Sequence, residues 1–227
     1  MLIMKPIFPI LFFILNTICS FSQVRQIDEF NTLLLRTWSA NSGMMNYDEI
    51  QGTPYSNKEL LPGSIFYVSG NHTDSIPMRY NWYSNQMEFE NENKILIIPV
   101  TQEIDYIMLN DSKYVPFNYL KNINGYMLEL CRGKYSLFRR EEVKFFEAQP
   151  PQSGYDEYKP AHFEWSQPQY YLISHDGKVT ELIQNKKKVA TEFPDLETEV
   201  EKLIHDKKLN VKKENDLVEL IQMINEL

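Results

Sequence analysis

The chain has 227 residues, of which 43% are hydrophobic and 24% are charged, and its formal net charge at pH 7 is −8. This length suffices for one sizeable domain, or for one domain with an appendage. The acidic balance argues against non-specific binding to nucleic acid or to anionic lipid, because both carry the same sign of charge as the protein.

Residues 1–22 have the pattern of a secretory signal peptide. Lys5 precedes an apolar run over residues 7–18, and two small serines stand just before Gln23, where cleavage is expected. The apolar run is shorter than the ~20 residues that a membrane-spanning helix needs. The sequence therefore predicts export to the periplasm or the extracellular space, with no transmembrane segment after cleavage.

Residues 23–43 form an N-terminal segment with a helical pattern. Its apolar residues recur every three or four positions, namely Val24, Ile27, Phe30, Leu33, Leu34 and Trp38. This spacing predicts a short helix. The alternative is that residues 33–38 begin the sheet, because periodicity alone does not separate a helix from a strand in so short a run.

Residues 44–183 consist of short alternating segments rich in Tyr, Phe, Ile and Val, with turn residues between them. The predicted strands cover residues 63–70, 76–83, 86–90, 94–100, 105–109, 113–119, 126–131, 134–146, 162–166, 169–174 and 178–183. No long helical pattern interrupts them, so the connections are local and the sheet is expected to be antiparallel. We predict a mainly β protein with an antiparallel meander sheet, either a sandwich or a partly closed barrel.

The densest signals lie in a predicted hairpin over residues 77–89. Met78, Tyr80 and Trp82 share one face of its first strand, and the second strand alternates apolar residues with Glu88 and Glu90 on a face expected to be solvated. Arg79 is placed to face Glu88 across the hairpin. Two interpretations of Arg79 stay open: an anion-binding residue in a pocket, or a strand arginine paired with a carboxylate.

Two further turns are predicted from their residue types. Asn124-Gly125 is a favoured pair for a two-residue hairpin turn, and it lies between two predicted strands. His175-Asp176-Gly177 is the expected turn between the last two predicted strands.

The candidate binding surface is the long irregular segment over residues 147–160 together with the strand that follows it. Loops of this length are usually functional or disordered, and aromatic residues argue against disorder. Exposed rings at such a place bind sugars, peptides or partner proteins, whereas buried rings fill the space between loop and sheet. The candidate ligand-binding residues, in addition to Arg79, are Tyr155, Tyr158, His162, Glu164 and Trp165.

Catalytic and metal-binding patterns are weak in this sequence. It contains no Gly-rich phosphate loop, nucleophile elbow or His-Glu-x-x-His motif. His162 and Glu164 face the same side of a strand, which suits either a pair of metal ligands or a solvated pair, and we favour the latter. Cys131, the only cysteine left after signal cleavage, has no neighbouring histidine and is interpreted as an inert thiol. We therefore predict no catalytic residue, no metal and no cofactor.

Residues 184–227 change to helical periodicity. Three apolar stripes recur at helical spacing, and Pro194-Asp195 interrupts the chain between the first and the second. The outer positions carry Lys and Glu. The sequence predicts two or three helices that are too small to form a large core alone and that dock on the sheet.

Several short motifs together carry a resemblance to a known family. They are Gly52-Thr-Pro-Tyr55, Arg79-Tyr-Asn81, Met87-Glu-Phe89, Gly154-Tyr155, Tyr170-Tyr171 and a final pattern that runs from Lys186-Lys-Lys through Phe193-Pro to Asp216-Leu217 and Leu220. The chain resembles a family of uncharacterised exported proteins common in Bacteroidetes, and the resemblance covers essentially the whole mature chain. The family often ends in a Tyr-Tyr-Asn-like sequence, where this chain has Met223-Ile-Asn225. The resemblance implies an envelope or secreted location, and it implies no activity, ligand or catalytic residue.

Export, aromatic richness and the weak catalytic patterns together predict a cell-envelope protein that acts as a non-enzymatic binding or interaction module, with a glycan or another envelope protein as its partner. Two alternatives stay open. One is a secreted or periplasmic hydrolase-like enzyme that acts on glycan or peptide. The other is a purely structural component of the envelope.

Overall fold

The computed structural model describes Tyr47 and residues 50–120, 123–151 and 157–227, except for the side chains at positions 118–120 and 123. The predicted signal peptide and the predicted N-terminal helix lie outside the described residues. These two predictions therefore stay untested.

Twelve strands in the described residues form a ten-stranded and a two-stranded antiparallel sheet, which confirms the predicted mainly β fold. They are β1 (Leu61–Tyr67), β2 (His72–Asn81), β3 (Gln86–Asn91), β4 (Lys94–Ile98), β5 (Ile104–Leu109), β6 (Ser112–Leu120), β7 (Ile123–Cys131), β8 (Tyr135–Arg140), β9 (Val143–Phe146), β10 (His162–Trp165), β11 (Gln169–Ser174) and β12 (Val179–Glu181). The single strand predicted over residues 134–146 is wrong, because it is divided into β8 in the large sheet and β9 in the small one. Periodicity does not reveal this division, since the two strands alternate in the same way.

The large sheet has the order β12-β11-β8-β7-β6-β5-β1-β2-β3-β4 and is not closed into a barrel. It nevertheless curls strongly. The hydroxyl of Tyr80 in β2 donates to the carbonyl oxygen of Tyr126 in β7 over 2.8 Å and accepts from the amide of the same residue over 3.0 Å. Since β2 and β7 stand four places apart in the strand order, these bonds require the sheet to fold over its own concave face.

The predicted hairpin is confirmed as β2 and β3, joined through Ser84 and Asn85. Met78, Tyr80 and Trp82 are all buried in the concave core, as expected from their shared face. The expectation that Glu88 lies on a solvated face is wrong, because its side chain is only 1% exposed. The preceding segment explains this burial: Tyr55 pairs with Asn81 at the edge of the hairpin and its hydroxyl contacts the Glu88 carboxylate.

The predicted turn at Asn124-Gly125 is also wrong, since both residues belong to β7 and Gly125 lies opposite Phe117 in β6. A different constraint accounts for the glycine. A Cβ atom at position 125 would lie 2.6 Å from the carbonyl oxygen of Asn85, so the tip of the β2–β3 hairpin approaches β7 too closely for any side chain.

The C-terminal region contains α1 (Lys186–Thr191), a short 3-10 turn (Pro194–Leu196), α2 (Glu197–Asp206) and α3 (Glu214–Asn225), which confirms the predicted helical appendage. The apolar stripes of the helices pack on one face of β8 and β11, through Leu137, Tyr170 and Leu172. Asn185 caps the first helix with its side-chain oxygen.

Two polar contacts attach α3 to the sheet. The Asn225 side-chain amide accepts from the backbone N–H of Tyr135 and donates to the backbone carbonyl of the same residue, with both distances 2.8 Å. At the other end of the helix, Arg139 in β8 donates to both carboxylate oxygens of Glu214 over 2.8 Å. The helical region is therefore docked on the sheet by directional bonds as well as by apolar packing.

Candidate functional site

A cleft of about 700 Å³ opens beside the two-stranded sheet formed by β9 and β10. Its polar lining residues carry two amides, one carboxylate, one ammonium group, one imidazole and one phenol ring, from Gln51, Gln149, Glu157, Lys159, His162 and Tyr158. Its apolar lining residues include Pro150, Pro160 and Phe163. The cleft thus combines groups that donate hydrogen bonds, groups that accept them, and hydrocarbon surface.

Backbone hydrogen bonds hold both walls of the cleft, one of which is formed by Gln51 and the other by Gln149 and Lys159. Gln51 runs parallel to β10, where its amide donates to Ala161 over 3.0 Å and its carbonyl accepts from Phe163 over 2.9 Å. Gln149 and Lys159 donate to each other over 2.8 and 3.0 Å, which closes the base of the long loop. Both walls are therefore built on bridged backbone, and a rigid backbone holds binding side chains more accurately than an unsupported loop does.

Gly52 allows the first wall to lie so close to β10. Its φ of +78° falls in the left-handed region, and a Cβ atom there would lie 2.9 Å from the carbonyl oxygen of Phe163. Both observations require glycine at this position. The close approach places Gln51 on the rim of the cleft.

Two of the sequence-predicted site residues, Tyr158 and His162, meet in this cleft. Tyr158 is 60% exposed, which is far more than packing between loop and sheet would leave. The His162 ring stacks on Phe146 with a centroid distance of 5.1 Å and an interplanar angle of 13°. Its Nδ1 atom lies 3.0 Å from the Pro160 carbonyl and its Nε2 atom 3.4 Å from a Glu164 oxygen, so the ring is held from three sides.

Glu164 and Trp165 lie on the same small sheet, but the structure does not place them among the residues that line the cleft. Trp165 is 41% exposed, and its indole N–H donates to the Thr53 carbonyl over 2.9 Å. Tyr155 lies outside the described residues.

Arg79 lies elsewhere, in a polar network under the outer face of the β2–β3 hairpin. Its Nε donates to Glu88 over 2.9 Å, its Nη1 to the Lys58 carbonyl over 2.9 Å and its Nη2 to the Tyr55 hydroxyl over 3.1 Å. All three guanidinium nitrogens therefore have partners within the protein. The geometry matches the paired strand arginine of the second interpretation, and Arg79 does not form part of the cleft.

Glu88 is the centre of that network. Its carboxylate also accepts from Asn81 Nδ2 over 2.9 Å and lies 3.1 Å from the Tyr55 hydroxyl. Burial, together with the nearby negative charge of Glu88, raises the pKa of Tyr55 well above its ordinary value. Tyr55 thus stays protonated and donates to the carboxylate. A buried carboxylate with three donors is satisfied, so its role here is structural.

Tyr47 connects this network to Phe163, which lines the cleft. Its ring packs edge to face on Phe163 with a centroid distance of 5.2 Å, and its hydroxyl accepts from Asn81 over 3.4 Å. Sequence reasoning missed Gln51, and it did not single out Gln149, Glu157 and Lys159 within the long segment that it predicted as a binding surface. Gln51 is far in sequence from that segment, and a polar residue outside a periodic segment carries no local signal of its place.

Three further features of the described residues bear on function. A cavity of about 140 Å³ lies beside Arg79, Tyr80 and Tyr114. Within the described ranges, no group of three or more His, Cys, Asp or Glu side chains is placed to hold a metal ion. Among the helices that the structure describes, none has the length and apolar character needed to cross a membrane.

Comparison with known proteins identifies no relative. No family model, no curated protein sequence and no solved structure matches the chain significantly. The resemblance to exported Bacteroidetes proteins therefore stays a prediction, and the argument for function rests on the cleft.

Proposed function

We propose that this chain is an exported, non-enzymatic binding module and that its ligand site is the cleft between Gln51 and the loop closed by Gln149 and Lys159. The predicted signal peptide supports the export. The architecture supports the binding role, because the cleft lies on bridged backbone and its volume falls within the ~300–1,000 Å³ that is usual for ligand sites.

The single observation that carries the proposal is the exposure of Tyr158 within that cleft. A tyrosine ring that is 60% exposed offers apolar surface for a contact, and here it lies beside amide, ammonium and imidazole groups that suit a polar ligand. Aromatic side chains in such positions commonly supply the largest share of binding energy.

The composition of the described lining supports binding rather than hydrolysis. Glycosidic hydrolysis ordinarily uses two carboxylates on opposite sides of the bond that is cleaved. Among the lining residues that the structure describes, Glu157 alone supplies a carboxylate. The Nε2 atom of His162 faces Glu164 instead of a serine or cysteine, so His162 is not arranged to activate a nucleophile.

Binding is tested with the mature chain on immobilised arrays of oligosaccharides and of peptides. We expect retention on one of these arrays, and we expect Tyr158→Ala to weaken it while Val68→Ala, an equally exposed site between β1 and β2, leaves it unchanged. Retention that Tyr158→Ala does not alter, with the variant folded as judged by circular dichroism, contradicts the proposal.

Export is tested separately by expressing the full chain in a Gram-negative host. We expect the protein in the periplasmic or culture fraction, with Gln23 as its first residue on N-terminal sequencing. Recovery of uncleaved chain in the cytoplasm would remove the export part of the proposal and leave the binding part standing.

A further inference from the structure

We propose that the ligand of the cleft is a short uncharged oligosaccharide that is held through side chains. This inference rests on the proposed binding function and names its ligand class. It follows from three properties of the described lining: the backbone groups of Gln51, Gln149 and Lys159 are occupied, the single ammonium group is balanced by a carboxylate, and the polar side chains both donate and accept hydrogen bonds.

Occupied backbone argues against an extended peptide as the ligand. Peptides that add to a sheet edge bind chiefly through main-chain hydrogen bonds. In this cleft the N–H and C=O groups of Gln51, Gln149 and Lys159 are all used in the bridges that build the walls. A ligand at these positions therefore has to be recognised by side chains.

The charges of the lining argue against a strongly anionic ligand. Glu157 and Lys159 supply one charge of each sign, and Glu164 lies just beyond His162. The whole chain carries a net charge of −8, so an anionic sugar such as a uronic acid approaches a repelling surface. An anionic ligand therefore gains no net attraction from this cleft, and an uncharged one meets no repulsion.

Sugar hydroxyls suit the remaining groups. Each hydroxyl donates one hydrogen bond and accepts others, and the amides of Gln51 and Gln149 offer both functions within one side chain. The exposed Tyr158 ring offers an apolar surface for the C–H face of a pyranose. Pro150 and Pro160 add further hydrocarbon surface.

The test is to titrate the mature chain with three kinds of soluble probe and to measure binding by isothermal titration calorimetry. These are uncharged hexose and N-acetylhexosamine oligomers, uronic acid oligomers, and extended peptides of mixed sequence. We expect saturable binding of an uncharged oligomer, weakened roughly tenfold by Tyr158→Ala and by Gln149→Ala, because each removes a contact; tenfold corresponds to about 1.4 kcal/mol. Tyr158→Phe keeps the ring and should retain most of the affinity, and Val68→Ala should match the native chain.

The outcomes separate this inference from the proposed function. Binding of uronic acid oligomers or peptides that depends on Tyr158 and Gln149 overturns the ligand class and leaves the binding function standing. Binding of an uncharged oligomer that neither cleft variant alters overturns both. Absence of binding to every uncharged oligomer overturns the ligand class. Folding of each variant is checked by its unfolding midpoint, so that a collapsed cleft is not taken for a lost contact.

Discussion

The hydroxyl of Tyr80 takes the place of a missing strand beside Tyr126. Tyr126 lies opposite Pro116 in β6, and the pairing of β7 with β8 begins only at Leu128 and Arg139. Tyr126 therefore lies where β8 has separated from β7, and its amide and carbonyl have no partner in β8. The Tyr80 hydroxyl forms hydrogen bonds to both groups instead. This contact closes the curl of the large sheet.

Tyr80→Phe should destabilise the protein by about 1–3 kcal/mol, because it leaves a buried N–H and a buried C=O without partners. The measurement is the free energy of unfolding in urea. Tyr158→Phe is the control, because the Tyr158 side chain is 60% exposed and its hydroxyl is solvated in the folded and the unfolded chain alike, so that its removal should change stability little. Equal stability of the Tyr80 variant and the native chain would show that water satisfies both groups.

Arg79→Met should destabilise the protein by about 3–5 kcal/mol, because it leaves the charge of Glu88 buried and uncompensated. The double variant Arg79→Met with Glu88→Gln should lose less free energy of unfolding than the sum of the losses of the two single variants, because glutamine carries no charge to be left uncompensated. A double-mutant cycle by urea unfolding measures this coupling. Additive effects would mean that the Arg79–Glu88 pair contributes nothing specific.

Stability should fall steeply at alkaline pH. Burial raises the pKa of Tyr80 and Tyr126 above the ordinary value of 10.0, and it raises that of Tyr114 to about 12. Because these folded-state pKa values are raised, their contribution to stability is complete below pH 10.0 and is lost as the pH rises through the folded values.

Each such tyrosine lowers the free energy of unfolding by about 1.4 kcal/mol per pH unit in that window. Urea unfolding at a series of pH values measures the slope, and tyrosinate absorbance shows whether ionisation coincides with unfolding. Tyr80→Phe should make the fall of unfolding free energy with pH less steep by the contribution of one tyrosine. Ionisation of all tyrosines with ordinary pKa values in a chain that stays folded would contradict the expectation.

Asn225→Ala should loosen the docking of α3, because it removes both hydrogen bonds to the backbone of Tyr135. We expect a loss of about 1–2 kcal/mol in the free energy of unfolding. Glu226→Ala, at the next and exposed position, is the matched control. Gly133→Ala should act in the same direction, since a Cβ atom there would collide with the Asn225 side chain.

Gly52→Ala should damage the cleft more than the fold. The substitution forces a side chain into a left-handed backbone and against the Phe163 carbonyl, with a cost of about 1–2 kcal/mol if the segment shifts. We expect ligand affinity to fall further than stability does, because Gln51 moves with the strained segment. Gly70→Ala, a left-handed glycine with open space around its Cβ position, controls for the backbone strain alone.

The strands were predictable because their signal is local. Met78, Tyr80 and Trp82 alternate with polar residues, and alternation of this kind needs only a sheet with one dry face. The helical stripe of Leu217, Leu220, Ile221 and Ile224 was predictable for the same reason, and all four are fully buried.

The errors arose where distant segments meet. The alternation of its own strand predicts that Glu88 is solvated, yet Tyr55, from the segment before β1, covers it. Gly125 reads as a turn residue, yet the approach of Asn85 from another hairpin accounts for it. Nothing near either residue in the sequence carries this information.

The residues of the candidate site likewise fall into those that the sequence predicted and those that it did not. Tyr158 and His162 were identified from their residue types and from the length of the loop before β10. Gln149 and Lys159 lie within that loop but were not singled out, and Gln51 was missed because it reaches the cleft through a backbone bridge to His162, which is far away in the sequence.

The sequence by itself determined the class of fold, the number of helical stripes, the position of Arg79 opposite Glu88 and the aromatic content of the loop, since each depends on spacing within a few residues. Only the tertiary structure decided how far the sheet curls, that β9 leaves it, and which side chains surround the cleft. Those features depend on contacts between segments that are far apart in the chain, and their energies appear only when the segments are packed together.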